Sequence, residues 1–196
     1  MQKVAQFEKV SFEQFQKDWL DTFYDDIETC KRDNLIDEIT KIYEKIKLPK
    51  RATKGSAGYD FYSPLTFSLA PGETIKLPTG IRVRIEEGWV LNCYPRSGLG
   101  FKYRLQLNNT VGIIDSDYYA SDNEGHIFCK MTNDSNEAKT VTIEEGMGFM
   151  QGIFTAYGIT FDDDAEAIRN GGLGSTTKSK ETTSHENHWI LCDVEH

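Results

Sequence analysis

Three runs lie within residues 74–94: Thr74-Ile75-Lys76-Leu77, Ile81-Arg82-Val83-Arg84-Ile85, and Trp89-Val90-Leu91-Asn92-Cys93-Tyr94, the last two divided by Glu87-Gly88. Apolar and polar residues alternate along them, the pattern of strands that turn one face to a core and the other to water. Outward from this stretch the same texture continues. Thr66-Phe67-Ser68-Leu69 precedes a Pro71-Gly72 turn, and further runs occupy residues 127–132, 140–143 and 149–154. Many short strands punctuated by Gly and Pro, with no helices between them, predict an all-β antiparallel sandwich, jelly roll or barrel.

Before residue 50 the sequence is helix-like. Ser11 followed by Gln14 suits a capping box, and Phe12, Phe15, Trp19 and Phe23 recur at helical steps. Ile36, Ile39, Ile42, Tyr43 and Ile46 repeat the pattern until Pro49 ends it. Neither helix can bury its stripe alone, so both must pack on the rest of the chain or on a partner. After Asp162 the sequence is acidic, then rich in Gly, Ser and Thr from Asn170 to Thr183, which reads as a mobile arm. The expected organisation is a helical extension over residues 1–47, a β domain over 48–160, and an arm and tail over 161–196.

The chain has 196 residues, room for one medium domain. Its 22 basic and 31 acidic residues give a net charge of −9, which argues against broad nucleic-acid binding through phosphate neutralisation. Phosphates would instead be held by a few placed cations, backbone N–H groups or a metal. No run approaches the ~18 apolar residues of a membrane span, and residues 1–10 lack the apolar stretch of a signal peptide. Four cysteines without a C-x-x-C pair fit reduced thiols, so a soluble cytoplasmic protein is expected.

Five segments are candidates for chemistry. Gly55-Ser56-Ala57-Gly58-Tyr59-Asp60 leads to a lone carboxylate; its plainer reading is a capped Gly-rich loop. Pro95-Arg96-Ser97-Gly98-Leu99-Gly100 gathers N–H groups, a hydroxyl and a guanidinium after a strand, either a phosphate cradle or a surface turn. Asn109-Thr110-Val111-Gly112-Ile113-Ile114-Asp115-Ser116-Asp117-Tyr118 brings a carboxylate to the end of an apolar run, where it can deprotonate a water or form an ordinary Asx turn. Gln151 is a polar residue inside an apolar strand. Arg169-Asn170-Gly171-Gly172-Leu173-Gly174-Ser175-Thr176 suggests a P-loop, but no Lys follows the last Gly and no βαβ unit surrounds it. His185, His188, Cys192 and His196 match no standard metal spacing and read as a chance grouping.

In this order, over about residues 48–178, the five segments resemble the sequence motifs of the trimeric deoxyuridine triphosphatases (dUTPases). The resemblance implies a β jelly roll (β-clip) assembled as a homotrimer, with each active site built from three chains and closed by the C-terminal arm. It implies hydrolysis of dUTP to dUMP and pyrophosphate with Mg²⁺ on the triphosphate, limiting uracil in DNA and supplying dUMP. Asp115 matches the carboxylate that activates the attacking water. Tyr118 matches the residue against the deoxyribose, where a 2′-hydroxyl would collide. Asn109, Gly112 and the backbone around Phe128 fall where uracil is read. Arg96, Ser97, Gly98 and Gln151 match phosphate contacts. Asp60 matches the carboxylate beside the metal and the water, with no direct protein ligand to the ion. Arg169, Ser175 and Thr176 match phosphate ligands of the arm. Leu173 and Gly148 stand where relatives carry Phe and Arg. Two other readings follow from the same residues: a dCTP deaminase-like enzyme of related fold, disfavoured because Asp115 replaces the glutamate that chemistry uses, and a nucleotide-responsive regulator binding a protein through residues 11–46.

Overall fold

The computed structural model describes residues 2–24, 35–167 and 169–171. Twelve strands and three helices are seen there. The expected strands form, within a residue or two of the expected ends: β4 Phe67–Leu69, β5 Thr74–Pro78, β6 Ile81–Ile85, β7 Trp89–Pro95, β10 Phe128–Asn133, β11 Val141–Ile143 and β12 Gly148–Ala156. They are joined by β2 Lys50–Arg51, β3 Tyr59–Tyr62, β8 Leu105–Leu107 and β9 Gly112–Ile114. The largest sheet has the order β2-β3-β12-β7-β9; β5-β10-β8 and the β4-β11 pair complete the body. Every strand pairing is antiparallel. The alternating inner residues Leu69, Leu77, Leu91, Met131, Val141, Ile143 and Phe149 are fully buried, so the body is an all-β sandwich-like fold as the alternation required. No helix among the described residues is long and apolar enough to cross a membrane.

Two elements depart from the expectation. Ala5–Lys9, within the stretch read as helical, is a strand (β1) that pairs with β6 from Ala5↔Ile85 to Lys9↔Ile81. Ser97–Tyr103, read as a loop, is a short helix (α3) closed by Arg104 in the left-handed conformation at φ 50°. Gly98 and Gly100 lower its helix propensity, which hid it from the sequence.

Helix α1, Phe12–Phe23, starts at Ser11, whose Oγ accepts from the Gln14 N–H at 3.1 Å. The reciprocal half of the capping box is not made by Gln14, whose Nε2 turns to Asp18; Glu124, from a distant loop, takes the Ser11 N–H instead. Helix α2, Ile36–Lys45, carries Asp37 and Glu38 in its first turn and Lys45 in its last, matching the helix dipole. The apolar stripes find their host inside the chain: Val10, Phe15, Trp19, Leu20 and Ile39 form a second buried cluster, joined to the main core through Phe23, Ile46 and Leu65.

Candidate active site

Strand β9 carries two features within four residues. Gly112 lies opposite Cys93 of β7, and Ile114 opposite Leu91, so the strand lines one wall of a cavity of about 310 Å³. The same cavity is lined by Asn109, Phe128, Leu107 and Met150. A Cβ at position 112 would come within 3.1 Å of the Cys93 Cβ, so glycine keeps the slot open. Asn109 is held by a tight turn in which Thr110 N–H donates to Leu107 O (2.9 Å) and Val111 N–H to Asn109 O (2.6 Å). Thr110 sits at φ 65°, a conformation a β-branched residue adopts only under constraint. Burial pushes the Cys93 thiol up to about 12, and burial raises Cys129 as well, so both stay neutral and act as apolar wall. Cys93, Thr110 and Lys76, whose Nζ stands 4.9 Å above the Phe128 ring, were not singled out from sequence. The alternation of β7, which sends Cys93 inward with Leu91, was the available signal for the first of them.

Asp115 follows β9 directly and opens a 3-10 turn, Ser116–Ala120. That turn buries Tyr118, whose hydroxyl donates to the His126 carbonyl and accepts from Asn123 Nδ2, both at 2.8 Å. Burial raises its pKa, keeping the phenol protonated. The Asp115 carboxylate remains partly exposed and meets Arg169: Nη2 lies 2.5 Å from Oδ2. Arg169 Nε also reaches Asp117 Oδ1 at 3.0 Å.

A second group forms where β3, β12 and the end of β7 meet. Asp60 is opposite Gln151, which is opposite Tyr94. Arg96 Nε pairs with Asp60 Oδ1 at 3.2 Å, and its Nη1 donates to the Gly148 carbonyl at 3.2 Å. Gln151 Nε2 donates to Pro95 O at 3.3 Å. Glycine on both flanks leaves these side chains their present positions: a Cβ at 58 would fall 2.5 Å from Gln151 Oε1 and one at 148 would fall 2.7 Å from Arg96 Nη1, so each would have to move. Ser97 and Gly98 begin α3, where backbone N–H groups have no carbonyl a turn behind them.

The three groupings do not converge within one chain. Asp115 leaves β9 beside Val90, whereas Arg96 follows Pro95 at the other end of β7. Six residues of extended chain separate those levels by about 20 Å, much more than the length of a triphosphate. Asn109, Gly112 and Phe128 share one cavity whose wall runs from Ile114 to Met150, opposite Pro95; Asp115, Tyr118 and Arg169 lie beyond the Ile114 end, and Asp60, Arg96 and Gln151 with Ser97 and Gly98 near the Pro95 end. Leu173, Ser175, Thr176 and the tail residues His185, His188, Cys192 and His196 lie outside the described residues. Among the described residues, no three or more His, Cys, Asp or Glu side chains converge as a metal cage.

Comparison with known proteins points to one family. The dUTPase family model matches residues 44–177. The deoxyuridine 5'-triphosphate nucleotidohydrolase of Lactococcus lactis subsp. lactis is 44% identical over 134 residues, covering 67% of this chain and 88% of its own. That of Dictyoglomus turgidum is 37% identical over 147 residues, covering 70% and 95%. The crystal structure of dUTPase from Streptococcus mutans shares 37% identity and a TM-score of 0.52, covering 60% of this chain and 90% of that one. A dUTPase from phage phi11 of S. aureus, 20% identical, shares the fold with a TM-score of 0.55 over 85% of this chain and 99% of its own. The chain belongs to the dUTPase family.

Proposed function

We propose that this enzyme hydrolyses dUTP to dUMP and pyrophosphate by water attack on the α-phosphate, with Asp115 taking the proton, in a site completed only when three copies assemble. The observation that carries the reading is the separation along β7. A carboxylate next to a nucleobase-sized slot and a guanidinium–amide cluster about 20 Å away cannot serve one substrate in one chain. Brought together across an interface, they supply a base, a base-reading slot and phosphate ligands.

Uracil enters the cavity bounded by Asn109, Gly112 and Phe128 and is read by backbone groups. Its N3–H and O4 offer a donor and an acceptor, which cytosine reverses, and a mismatch of that kind is rejected strongly. Tyr118 stands against the deoxyribose. Arg96 and Gln151, with the N–H groups of Ser97 and Gly98, take phosphate oxygens contributed by the substrate of a neighbouring copy. Arg169 moves from Asp115 to the phosphates, joined by Ser175 and Thr176, while Leu173 covers the base. Positioning and charge neutralisation then carry the reaction, since hydrolysis at phosphorus needs little covalent help.

Mg²⁺ carried by the triphosphate and its waters would find Asp60, paired here with Arg96, as the carboxylate of the phosphate-binding group. Bound there, it supplies neutralisation of the phosphate charge that a chain of net charge −9 cannot.

The test is pyrophosphate release from dUTP, dCTP, dTTP and UTP with and without Mg²⁺, together with ammonia release from dCTP. Preference for dUTP with Mg²⁺ is expected; ammonia from dCTP, or no hydrolysis of dUTP by a trimeric preparation, overturns the reading.

A further inference from the structure

The residues ahead of the β body do more than cover it. Three hydrogen-bonded anchors run from residues 8–18 to one loop, residues 119–126, which continues the turn holding Tyr118. At the first, Glu8 Oε2 accepts from the Tyr119 hydroxyl at 2.7 Å and from Arg82 Nη2 at 3.1 Å, with the Arg82 guanidinium 4.3 Å over the Tyr119 ring. At the second, Glu124 takes both hydrogen bonds Ser11 can give, from N–H at 2.7 Å and from Oγ at 2.6 Å. At the third, Asp18 Oδ2 lies 2.5 Å from His126 Nδ1. The tautomer of that histidine is fixed by its other face: the Gly80 N–H donates to Nε2 at 2.7 Å, so the ring proton sits on Nδ1 and points at Asp18.

These anchors add to a loop that is also bonded within itself, by Ser121 N–H to Tyr118 O at 3.0 Å, Glu124 N–H to Ser121 O at 2.8 Å and His126 N–H to Asn123 O at 3.0 Å. Glu124 has φ 57°, and a Cβ on the next residue, Gly125, would fall 2.7 Å from the Tyr118 carbonyl oxygen and 2.8 Å from the Tyr119 Cα. The loop is folded tightly over Tyr118 in a left-handed turn, a conformation that persists where surrounding contacts over-determine it. Its interior and its far end are tied to the Tyr118 hydroxyl, which accepts from Asn123 and donates to the His126 carbonyl. His126 is itself fully buried between the Phe15 and Phe128 rings.

We infer that the N-terminal extension is the outer support of the sugar site: Asp18, through His126, and Ser11, through Glu124, are positioning residues that hold the Tyr118 ring where it discriminates deoxyribose from ribose. This rests on the assignment of Tyr118 to the sugar. Neither anchor touches substrate; each fixes the segment from which Tyr118 hangs, so that releasing one lets the ring retreat and admits a 2′-hydroxyl.

The experiment compares kcat and KM for dUTP and UTP in the full chain and in Asp18→Ala, Asp18→Asn, Ser11→Ala and Tyr118→Ala, with melting temperature and assembly state recorded for each. Asp18→Ala is expected to lower the dUTP-to-UTP ratio of kcat/KM about 10- to 100-fold, the scale of a displaced positioning group. Asp18→Asn is expected to retain the ratio, because its Oδ1 accepts the same Nδ1 proton. Ser11→Ala removes one of the two bonds to Glu124 without opening a core cavity, and should lower the ratio even if Asp18→Ala does not fold. If Tyr118→Ala lowers the ratio while Asp18→Ala or Ser11→Ala leaves it at the parent value, the inference is overturned. An equal loss in Asp18→Asn and Asp18→Ala overturns it too. If Tyr118→Ala itself leaves the ratio unchanged, it is the assignment of Tyr118 that fails.

Discussion

Arg169 and Asp115 of the same chain are paired, with Nη2 2.5 Å from Oδ2, and the same guanidinium reaches Asp117. A carboxylate oxygen engaged in this way is occupied by the guanidinium and not offered to a water. A triphosphate offers Arg169 a more highly charged partner, so substrate arrival can free Asp115 and place the cation on phosphate in one exchange. Arg169→Ala should therefore reduce kcat/KM for dUTP about 10- to 100-fold, the scale of a lost charge-assisted hydrogen bond, mostly through KM. Faster turnover in the variant would mean that Arg169 serves only as a clamp on the resting carboxylate.

Asp115→Asn keeps the shape of the side chain and removes its ability to take a proton. Turnover should fall by about two to four powers of ten, with affinity for a non-hydrolysable dUTP analogue retained in calorimetry. Normal turnover would take the water-activating role away from Asp115.

The separation of Asp115 from Arg96 along β7 gives a test of the shared site. Asp115→Asn and Arg96→Ala chains are each expected to be nearly inactive, since each lacks one half of every site. Denatured together in equal amounts and refolded, they should regain activity, because about a quarter of the interfaces between random neighbours pair an intact Asp115 with an intact Arg96. Mixtures no more active than their components would place both residues in the same chain's site.

Much of this molecule was legible before any coordinates. Strands β4 to β7 and β10 to β12 announced themselves because one face of each is buried, which imposes a period of two on residues such as Ile81, Val83 and Ile85. What escaped notice depends on partners far away in sequence. Ala5–Lys9 is an edge strand whose identity comes from pairing with β6, and Ser97–Tyr103 is a helix despite two glycines. Gln14 looked like the natural partner of Ser11, yet Glu124 does that work from 113 residues away. The motif order singled out Asp115, Tyr118, Arg96 and Gln151 as candidates, but not that Asp115 and Arg96 lie beside opposite ends of β7. That relationship is set by β7 and β9 register, which local composition does not encode.

Glu8 and Glu124 carry the last prediction. The Tyr119 hydroxyl holds the Glu8 carboxyl below its ordinary range, against burial and with help from Arg82. Burial pushes Glu124 upward, but the Ser11 hydroxyl and amide and Arg82 outweigh it and leave the carboxyl lowered. A lowered folded-state value means stability that is fully present above the unfolded glutamate value of about 4.3, and that disappears as pH falls through the folded value. The anchoring of the extension should thus weaken under acid conditions before the β body does. Melting curves from pH 7 down to pH 3 should show the parent protein losing stability on the acid side more steeply than Glu124→Gln, which at neutral pH is already less stable by about 1 kcal/mol. Parallel curves for the two proteins would show that Glu124 is not linked to folding in this way.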